Sequence, residues 1–269
     1  MKTCRIRTCS DVMKWFREKW PEHLACDWDN VGLLAGRRQK TVERVYVALD
    51  ATGEVIGDAI EKQADMLITH HPMIFGSIKK VSDADPVGNR LIRLIQADIS
   101  YYAGHTSFDI AKGGMADLAA ERLGLFTGDT VPLEVTGEQD GEPVGIGKTG
   151  MIREPLSVEE LAEIVKERFG LPFVTVYGNR PGQKLERIAI SPGSGKSMMA
   201  AAAEAGAGVL ITGDMGHHEG LDLAEEGIAL IDAGHYGLEH IFVDAVADAL
   251  EREGLEVFRA PAVYPCRVL

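Results

Sequence analysis

The sequence lacks the features that mark several protein classes. It has four cysteines in 269 residues, and none of them is in C-x-x-C spacing, which excludes a cysteine-based zinc site and a disulfide framework. No apolar run approaches the roughly 18 residues that cross a bilayer. The N-terminal segment 1–7 contains basic residues, but no apolar segment of signal-peptide length follows it. We therefore expect a cytoplasmic protein with no membrane partner. We expect free thiols at Cys4, Cys9, Cys26 and Cys266.

Positive charge is also scarce. The chain has 28 Lys and Arg against 41 Asp and Glu, a net charge of −13 at pH 7, which makes nucleic acid or an anionic membrane surface an unlikely partner. The proportions of hydrophobic residues (45%) and charged residues (26%) are those of an ordinary soluble globular protein. A chain of this length forms one large domain or two modest ones with a substantial core.

What the chain does have is clustered histidine. Random placement of eight histidines would give roughly 0.2 adjacent pairs, yet two occur, His70-His71 and His217-His218. The first pair follows the apolar run 67–69, which is typical of a buried strand that ends where polar residues begin. In α/β proteins ligands bind at such strand ends.

Two further histidines are each followed by a carboxylate four residues later in a G-H-x-x-x-[DE] motif: His105 with Asp109, and His235 with Glu239. This spacing places both side chains on one face if the segment is helical. Imidazole and carboxylate suit divalent metals of borderline softness, and a two-metal site also needs a bridging carboxylate. The metal-ligand candidates are His70, His71, His105, Asp109, His235 and Glu239.

The hydrophobic pattern predicts an α/β fold. Strand 44–50, helix 54–63 and strand 66–69 form a βαβ unit, which favours a parallel sheet. Helix 89–96 and strand 99–102 then lead to His105. Before this unit, a helix is predicted from Ser10, as its cap, to Trp20.

The same pattern returns from residue 185, which indicates an internal duplication. The predicted elements of the second copy are strands 187–191, 208–212 and from 228, and helices 198–206 and 241–252. Between the copies, residues 125–184 read as a smaller α+β region with a hairpin and a capping box at Ser157 and Glu160. We predict a first α/β domain at 1–124, completed by 235–269, and a second at 125–234 that includes 125–184, with the metal site in the cleft between the halves.

Three other residues follow a strand in the second copy: Asp214, His217 and His218. They take the place of His70-His71 in the predicted duplication. Substrate binding or proton transfer is the functional interpretation of this group, set against a structural role, and Asp214 and His218 are the catalytic candidates.

Residues 191–197, Ser-Pro-Gly-Ser-Gly-Lys-Ser, resemble a P-loop, but Ile190 stands where the motif needs its first glycine. A backbone anion site at a helix start remains an alternative for this segment. A P-loop ATPase would depend on Lys196. It is the least favoured of the functions considered.

Together these residues resemble the Nif-three-like dinuclear metal-centre family, known as GTP cyclohydrolase I type 2 homologues. The resemblance spans nearly the whole chain and rests on four segments: 29–33 (Asp-Asn-Val-Gly-Leu), 69–72 (Thr-His-His-Pro), 104–109 and 234–239. It implies two α/β domains with a dinuclear site between them, metal ligation by the six candidates, and a ring-shaped homohexamer.

Two functions follow as hypotheses. The first is a hydrolase that uses two divalent metal ions per subunit, with zinc, iron and manganese not distinguished. By resemblance its chemistry is GTP cyclohydrolase-like ring opening of a nucleotide-like small molecule, while phosphoester or amide hydrolysis fits the ligands equally well. The second is a hexameric ring protein that binds metal or recruits a partner without turnover.

Overall fold

The computed structural model describes residues 6–178 and 182–269. It is a mixed α/β structure with two sheets, as predicted. The strands, in chain order, are β1 (Gly32–Ala35), β2 (Arg44–Ala48), β3 (Met66–Thr69), β4 (Ser100–Ala103), β5 (Val131–Gln139), β6 (Glu142–Leu156), β7 (Thr175–Tyr177), β8 (Leu185–Ser194), β9 (Val209–Gly213), β10 (Ala229–Asp232) and β11 (Glu256–Arg259).

The α-helices alternate with these strands along the chain. They are α1 (Cys9–Lys19), α2 (Gly53–Glu61), α3 (Pro86–Gln96), α4 (Thr106–Ile110), α5 (Met115–Leu123), α6 (Val158–Phe169), α7 (Met199–Glu204), α8 (His217–Glu225), α9 (His235–Glu239) and α10 (Ile241–Arg252). Short 3-10 turns occupy Glu22–Leu24 and Lys196–Met198. The predicted bounds of β3 and α10 are confirmed residue for residue.

The chain forms two compact units. Unit 1 comprises residues 1–108 and 242–262, and unit 2 comprises residues 109–241 and 263–269. Helix α5, which the sequence analysis placed in the first domain, belongs to unit 2, and the C-terminal residues 263–269 also belong to unit 2 rather than to unit 1.

The sheet of unit 1 has the strand order β1-β4-β3-β2-β11. Strands β2, β3 and β4 are parallel, β11 adds a parallel strand beside β2, and β1 pairs antiparallel with β4. Because parallel strands end at the same edge of a sheet, the residues that follow β2, β3 and β4 emerge together. Those residues are Asp50, His70, His71 and His105.

The sheet of unit 2 repeats this plan. Its order is β5-β6-β8-β9-β10-β7, in which β8, β9 and β10 are parallel and β7 pairs antiparallel with β10, as β1 does with β4. The repeated topology is what the internal duplication predicts. The hairpin strand β5 pairs with β6, and β6 pairs with β8, so this part of region 125–184 joins the second sheet. Residues 179–181 lie outside the described residues.

The core of each unit is mainly aliphatic where helices pack on the parallel strands. In unit 1, buried side chains of β2, β3 and β4 pack with those of α2 and α3, and Ile56, Leu67 and Leu94 are fully buried. An aromatic cluster covers another part of the same sheet, with Phe16 4.7 Å from Tyr102 and Trp20 4.7 Å from Phe108 between ring centroids. Helix α1 supplies Phe16 to this cluster.

The start of α1 differs from the prediction. Thr8, not Ser10, is the cap: its Oγ1 accepts from the Asp11 N–H at 3.2 Å, and the Asp11 carboxylate accepts from the Thr8 N–H at 2.9 Å. Both residues are good caps, but Asp11 lies three residues after Thr8 and completes a capping box there.

Replacing the cap should therefore separate the two candidates. Thr8→Ala is expected to lower the free energy of unfolding by about 1 kcal/mol, whereas Ser10→Ala should stay within about 0.5 kcal/mol. Urea unfolding of both variants measures this. A larger loss of unfolding free energy in Ser10→Ala than in Thr8→Ala would mean that Ser10 is the cap after all.

The cysteines agree with the prediction of free thiols. Among the described residues, Cys9 and Cys266 are free thiols. Cys4 lies outside the described residues.

Candidate metal centre

His70 and His71 directly follow the last residue of β3. The His70 N–H donates to the Ala48 carbonyl at 3.3 Å, and the His71 N–H donates to the Leu49 carbonyl at 3.0 Å. The backbone of both histidines is therefore tied to the end of β2, and their adjacent rings lie 4.8 Å apart between centroids. His70 is fully buried and His71 is half-buried.

A buried tyrosine fixes the turn that follows. The Tyr101 hydroxyl accepts from the Met73 N–H at 2.7 Å and donates to the His71 carbonyl at 3.0 Å. Burial raises the pKa of Tyr101 to about 12, so the hydroxyl keeps its proton and its donor role at neutral pH. The backbone that carries the histidines is thus held on both sides of His71.

In unit 1 the Nδ1 atom of each of three histidines is already engaged. His70 Nδ1 lies 3.1 Å from the Gly104 carbonyl oxygen, His71 Nδ1 lies 2.8 Å from Asp50 Oδ1, and His105 Nδ1 lies 2.9 Å from an Asp29 oxygen. A carboxylate or carbonyl at one ring nitrogen fixes the tautomer and leaves the other nitrogen to face a metal. This arrangement favours Nε2 as the ligand atom in all three.

These three imidazoles also converge. One ring nitrogen from each of His70, His71 and His105 can be chosen so that all three atoms lie within 4.8 Å of one another. Three converging imidazoles suit zinc or iron. Unit 1 therefore contains a group of side chains that could hold a metal ion.

Asp29 is the anchor of His105. Its side chain is fully buried and also accepts from Thr106, at 3.0 Å from the backbone N–H and 2.5 Å from the hydroxyl. Burial alone would raise the pKa of the Asp29 carboxyl, but the hydrogen bonds from His105 and Thr106 outweigh burial and lower the pKa to about 2. The carboxylate is therefore ionised when it holds the imidazole.

The second G-H-x-x-x-[DE] motif forms a short helix in unit 2. His235 and Glu239 are the first and last residues of α9, and His235 Nε2 lies 3.0 Å from Glu239 Oε2. His235 Nδ1 lies 2.9 Å from Asp214 Oδ2, so this histidine too has a carboxylate at one nitrogen. Glu239 is 3% exposed, an unusual burial for a carboxylate.

The first G-H-x-x-x-[DE] motif, with His105 and Asp109, also forms a short helix. Here the histidine immediately precedes the helix, α4, instead of being its first residue. Asp109 is the fourth residue of α4 and is half-buried. Both copies of the motif thus place a histidine and a carboxylate about one helical turn apart, as the four-residue spacing predicts.

Glycines make room for the second histidine and its carboxylate. A Cβ at Gly213 would lie 2.4 Å from the His235 backbone nitrogen. A Cβ at Gly193, whose φ is +83°, would lie 2.7 Å from Glu239 Oε1. The close approach of Gly193 to Glu239 explains why a glycine stands at this position of the P-loop-like segment 191–197.

The rest of that segment is largely strand rather than loop. Strand β8 continues through Ser194, and a 3-10 turn at Lys196–Met198 leads into α7. Lys196 forms an ion pair with Glu219 at the start of α8.

Gly193→Ala should impair metal binding. The added Cβ displaces the Glu239 carboxylate, and we expect metal affinity to fall by roughly 10–100-fold, the range seen when a ligand is mispositioned. Gly141→Ala is the matched control, because Gly141 has a similar φ of +80° and open space around its Cβ. Both variants should lose about 1 kcal/mol of stability to the left-handed backbone. Equal metal affinity in the two variants, measured by competition with a chelating dye, would contradict this role of Gly193.

His217 and His218, two of the three remaining candidates, do not lie at a strand end, the position that the sequence analysis predicted for them. Strand β9 ends at Gly213, and His217 and His218 come four and five residues later as the exposed first residues of α8. They do not directly follow a strand, as His70 and His71 do. Among the described residues, neither is in a group of three potential metal ligands. Asp214, with φ +54°, is the partner of His235.

Sequence reasoning missed three contributors. Asp29 and Asp50 hold His105 and His71, and Gly193 abuts Glu239. A signal existed for the two aspartates: Asp29 is part of a motif segment, and Asp50 is a carboxylate just beyond a buried strand. No local pattern points to the contact of Gly193 with Glu239.

Comparison with known proteins decides the family. The model of the Duf34/NIF3 family (NGG1p interacting factor 3) matches residues 7–262. The chain belongs to the DUF34/NIF3 family. The resemblance drawn from the motif segments is thereby confirmed.

Several relatives of this NIF3 family chain are named GTP cyclohydrolase 1 type 2 homolog. The one from Streptococcus pneumoniae is 36% identical over 246 residues, which covers 90% of each chain. The one from Clostridium acetobutylicum is 34% identical over 231 residues, which covers 86% of this chain and 85% of the relative.

Solved structures agree with the fold. A Bacillus cereus protein related to NIF3 superposes with a TM-score of 0.89 at 23% identity, covering 98% of this chain and 99% of that one. Reduced HcgD from Methanocaldococcus jannaschii superposes with a TM-score of 0.80 at 28% identity, covering 94% of this chain and 97% of that one. Within residues 6–178 and 182–269, no helix combines the length and the apolar character needed to cross a membrane.

Proposed function

We propose that this NIF3 family protein is a hydrolase that depends on two divalent metal ions. The proposed ligands are His70, His71, His105, Asp109, His235 and Glu239. The observation that carries the proposal is the convergence of ring nitrogens from His70, His71 and His105, whose Nδ1 atoms are each held by a carboxylate or a carbonyl oxygen.

The donor set fits such ions. Imidazole and carboxylate together suit zinc, iron and manganese, and a glutamate that is 3% exposed beside a histidine is costly unless it is paired or binds a metal. When bound, divalent cations supply Lewis acidity that lowers the pKa of water and polarises a substrate.

The chain's own residues orient this donor set. Asp29, Asp50 and Asp214 each lie within 2.9 Å of an Nδ1 atom and so fix the ring planes of His105, His71 and His235. Fixed rings lower the cost of assembling a site. Asp214 therefore acts by positioning His235 in this proposal, and proton transfer by the exposed His218 stays a prediction.

For the substrate we propose a small molecule, with nucleotide ring opening of the GTP cyclohydrolase type as the first choice. The support is the name of the relatives at 34% and 36% identity, GTP cyclohydrolase 1 type 2 homolog. Phosphoester and cyclic amide hydrolysis use the same ligands and belong in the same screen.

The test combines metal analysis with turnover. The protein is stripped with a chelator, reloaded separately with Zn²⁺, Mn²⁺ and Fe²⁺, and its metal content is measured by elemental mass spectrometry. Each form is then assayed with GTP, phosphoesters and cyclic amides. We expect two metal ions per subunit and turnover of one substrate class. Two bound ions without turnover of any class would overturn the hydrolase in favour of a metal-binding protein.

A homohexamer, implied by the resemblance, is part of the proposal. Light scattering on the protein as it elutes from a sizing column gives its mass directly. A mass of six subunits is expected, and a monomer would contradict this part.

A further inference from the structure

Two large aromatic side chains of unit 1 stand in solvent beside His105. Trp28 is 64% exposed and Phe75 is 56% exposed. The chain has three tryptophans, and the other two, Trp15 and Trp20, are only 7% and 6% exposed. Exposed aromatic side chains grouped at one place are typical of a binding surface rather than of a core.

Both rings contact the same imidazole. The centroid of Trp28 lies 5.9 Å from that of His105 at an interplanar angle of 73°, and the centroid of Phe75 lies 5.8 Å from it at 86°. The aromatic pair therefore adjoins one of the three converging imidazoles. A ligand that touches either ring is next to the proposed metal ligands of unit 1.

The loops that present the two rings are tied together. Asn30 Nδ2 donates to the Ile74 carbonyl at 2.6 Å, which links the loop after Trp28 to the residue before Phe75. Asp29, in the same loop, is fully buried and holds His105. Hydrogen bonds of Asn30 and Asp29 thus hold the backbone next to both aromatic residues, so little further ordering is needed when a ligand binds.

We propose that Trp28 and Phe75 bind a planar nitrogen heterocycle of nucleobase size by stacking, and so select the substrate of the proposed site. That this ligand is a substrate rests on the proposed hydrolase function, whereas stacking of the ligand on the two rings requires no turnover. An aromatic face gains about 1–3 kcal/mol from a stacked base. An aliphatic ligand gains only the burial of its surface, and the polar edge of a heterocycle also suits a neighbourhood of imidazoles.

Binding of nucleotides to the metal-loaded protein tests this directly. GMP, AMP and CMP are titrated by calorimetry, with ribose 5-phosphate as the probe that lacks the ring. We expect at least one nucleotide to bind and ribose 5-phosphate to bind at least about tenfold more weakly. We expect Trp28→Ala and Phe75→Ala each to weaken nucleotide binding by about 5–100-fold, and Trp28→Phe to keep most of the affinity.

Ile95→Ala is the matched control, because Ile95 is an exposed apolar residue of the same unit, at 62%, on α3. Its affinity should equal that of the wild type. Unfolding curves of all variants show whether the fold is kept, and the metal content shows whether His105 still functions as a ligand.

Four results would overturn the stacking site: no nucleotide bound, ribose 5-phosphate bound as tightly as the nucleotides, unchanged affinity in both alanine variants, or Trp28 fluorescence shielded from acrylamide in the ligand-free protein. The last would mean that another protein surface covers the pair. If the proposed hydrolase function is wrong but the stacking site is right, the result is different. Nucleotide binding would still depend on Trp28, but no substrate class would turn over.

Discussion

His70→Ala and Glu239→Ala are each expected to abolish turnover of whichever substrate class the wild type hydrolyses. His70 is fully buried, with Nδ1 at the Gly104 carbonyl, and Glu239 is 3% exposed beside His235. Loss of a residue that only orients a ligand costs 10–100-fold, so loss of a ligand itself should cost at least about 100-fold. Initial rates together with elemental analysis measure the effect.

The controls separate chemistry from folding. His23→Ala removes an exposed histidine of the 3-10 turn Glu22–Leu24 and should leave turnover unchanged. Glu239→Gln keeps the shape of the side chain but removes its charge, so it should fold like the wild type and still lose metal. If either alanine variant keeps full metal content and full turnover, that residue is not a ligand.

Asp29→Ala should have the largest effect on stability. The variant would leave the Thr106 N–H, the Thr106 hydroxyl and the His105 Nδ1 without the carboxylate that holds them. A buried donor that loses its acceptor costs about 1–3 kcal/mol, and since the three effects are not additive we expect a total loss of about 3 kcal/mol. Urea unfolding of the metal-free protein measures it without interference from metal binding.

Two further variants sharpen this test. Asp27→Ala removes an exposed carboxylate two residues away and should change stability by less than about 0.5 kcal/mol. Asp29→Asn keeps an acceptor but no charge, so about half of the loss is expected, with metal affinity roughly 10–100-fold lower because His105 is held less firmly. Equal stability of the Asp27 and Asp29 alanine variants would mean that Asp29 is not an anchor.

Periodicity and strand ends predicted much of the fold. Strand β3, helix α10 and the capping box of α6 fall where the pattern placed them, since each has its own local signal. The positions of His70, His71 and His105 at strand ends also followed from the sequence. They follow because an apolar run that stops at polar residues marks the carboxyl edge of a parallel sheet.

The parts that were missed depend on contacts far apart in the chain. Strand β8 was expected to end before the glycines, yet it runs through Gly193 to Ser194, and Gly193 meets Glu239 46 residues later. His217 and His218 were matched to His70 and His71 by order alone. The strand before them in fact ends at Gly213, where a side chain would collide with His235.

The most direct measurement is an anomalous difference map from crystals of the protein loaded with Mn²⁺ or Zn²⁺. Two peaks per subunit are predicted, each about 2.0–2.3 Å from nitrogen or oxygen atoms of His70, His71, His105, Asp109, His235 and Glu239. Peaks at other side chains, or well-occupied metal with those six residues left uncoordinated, would contradict the dinuclear centre.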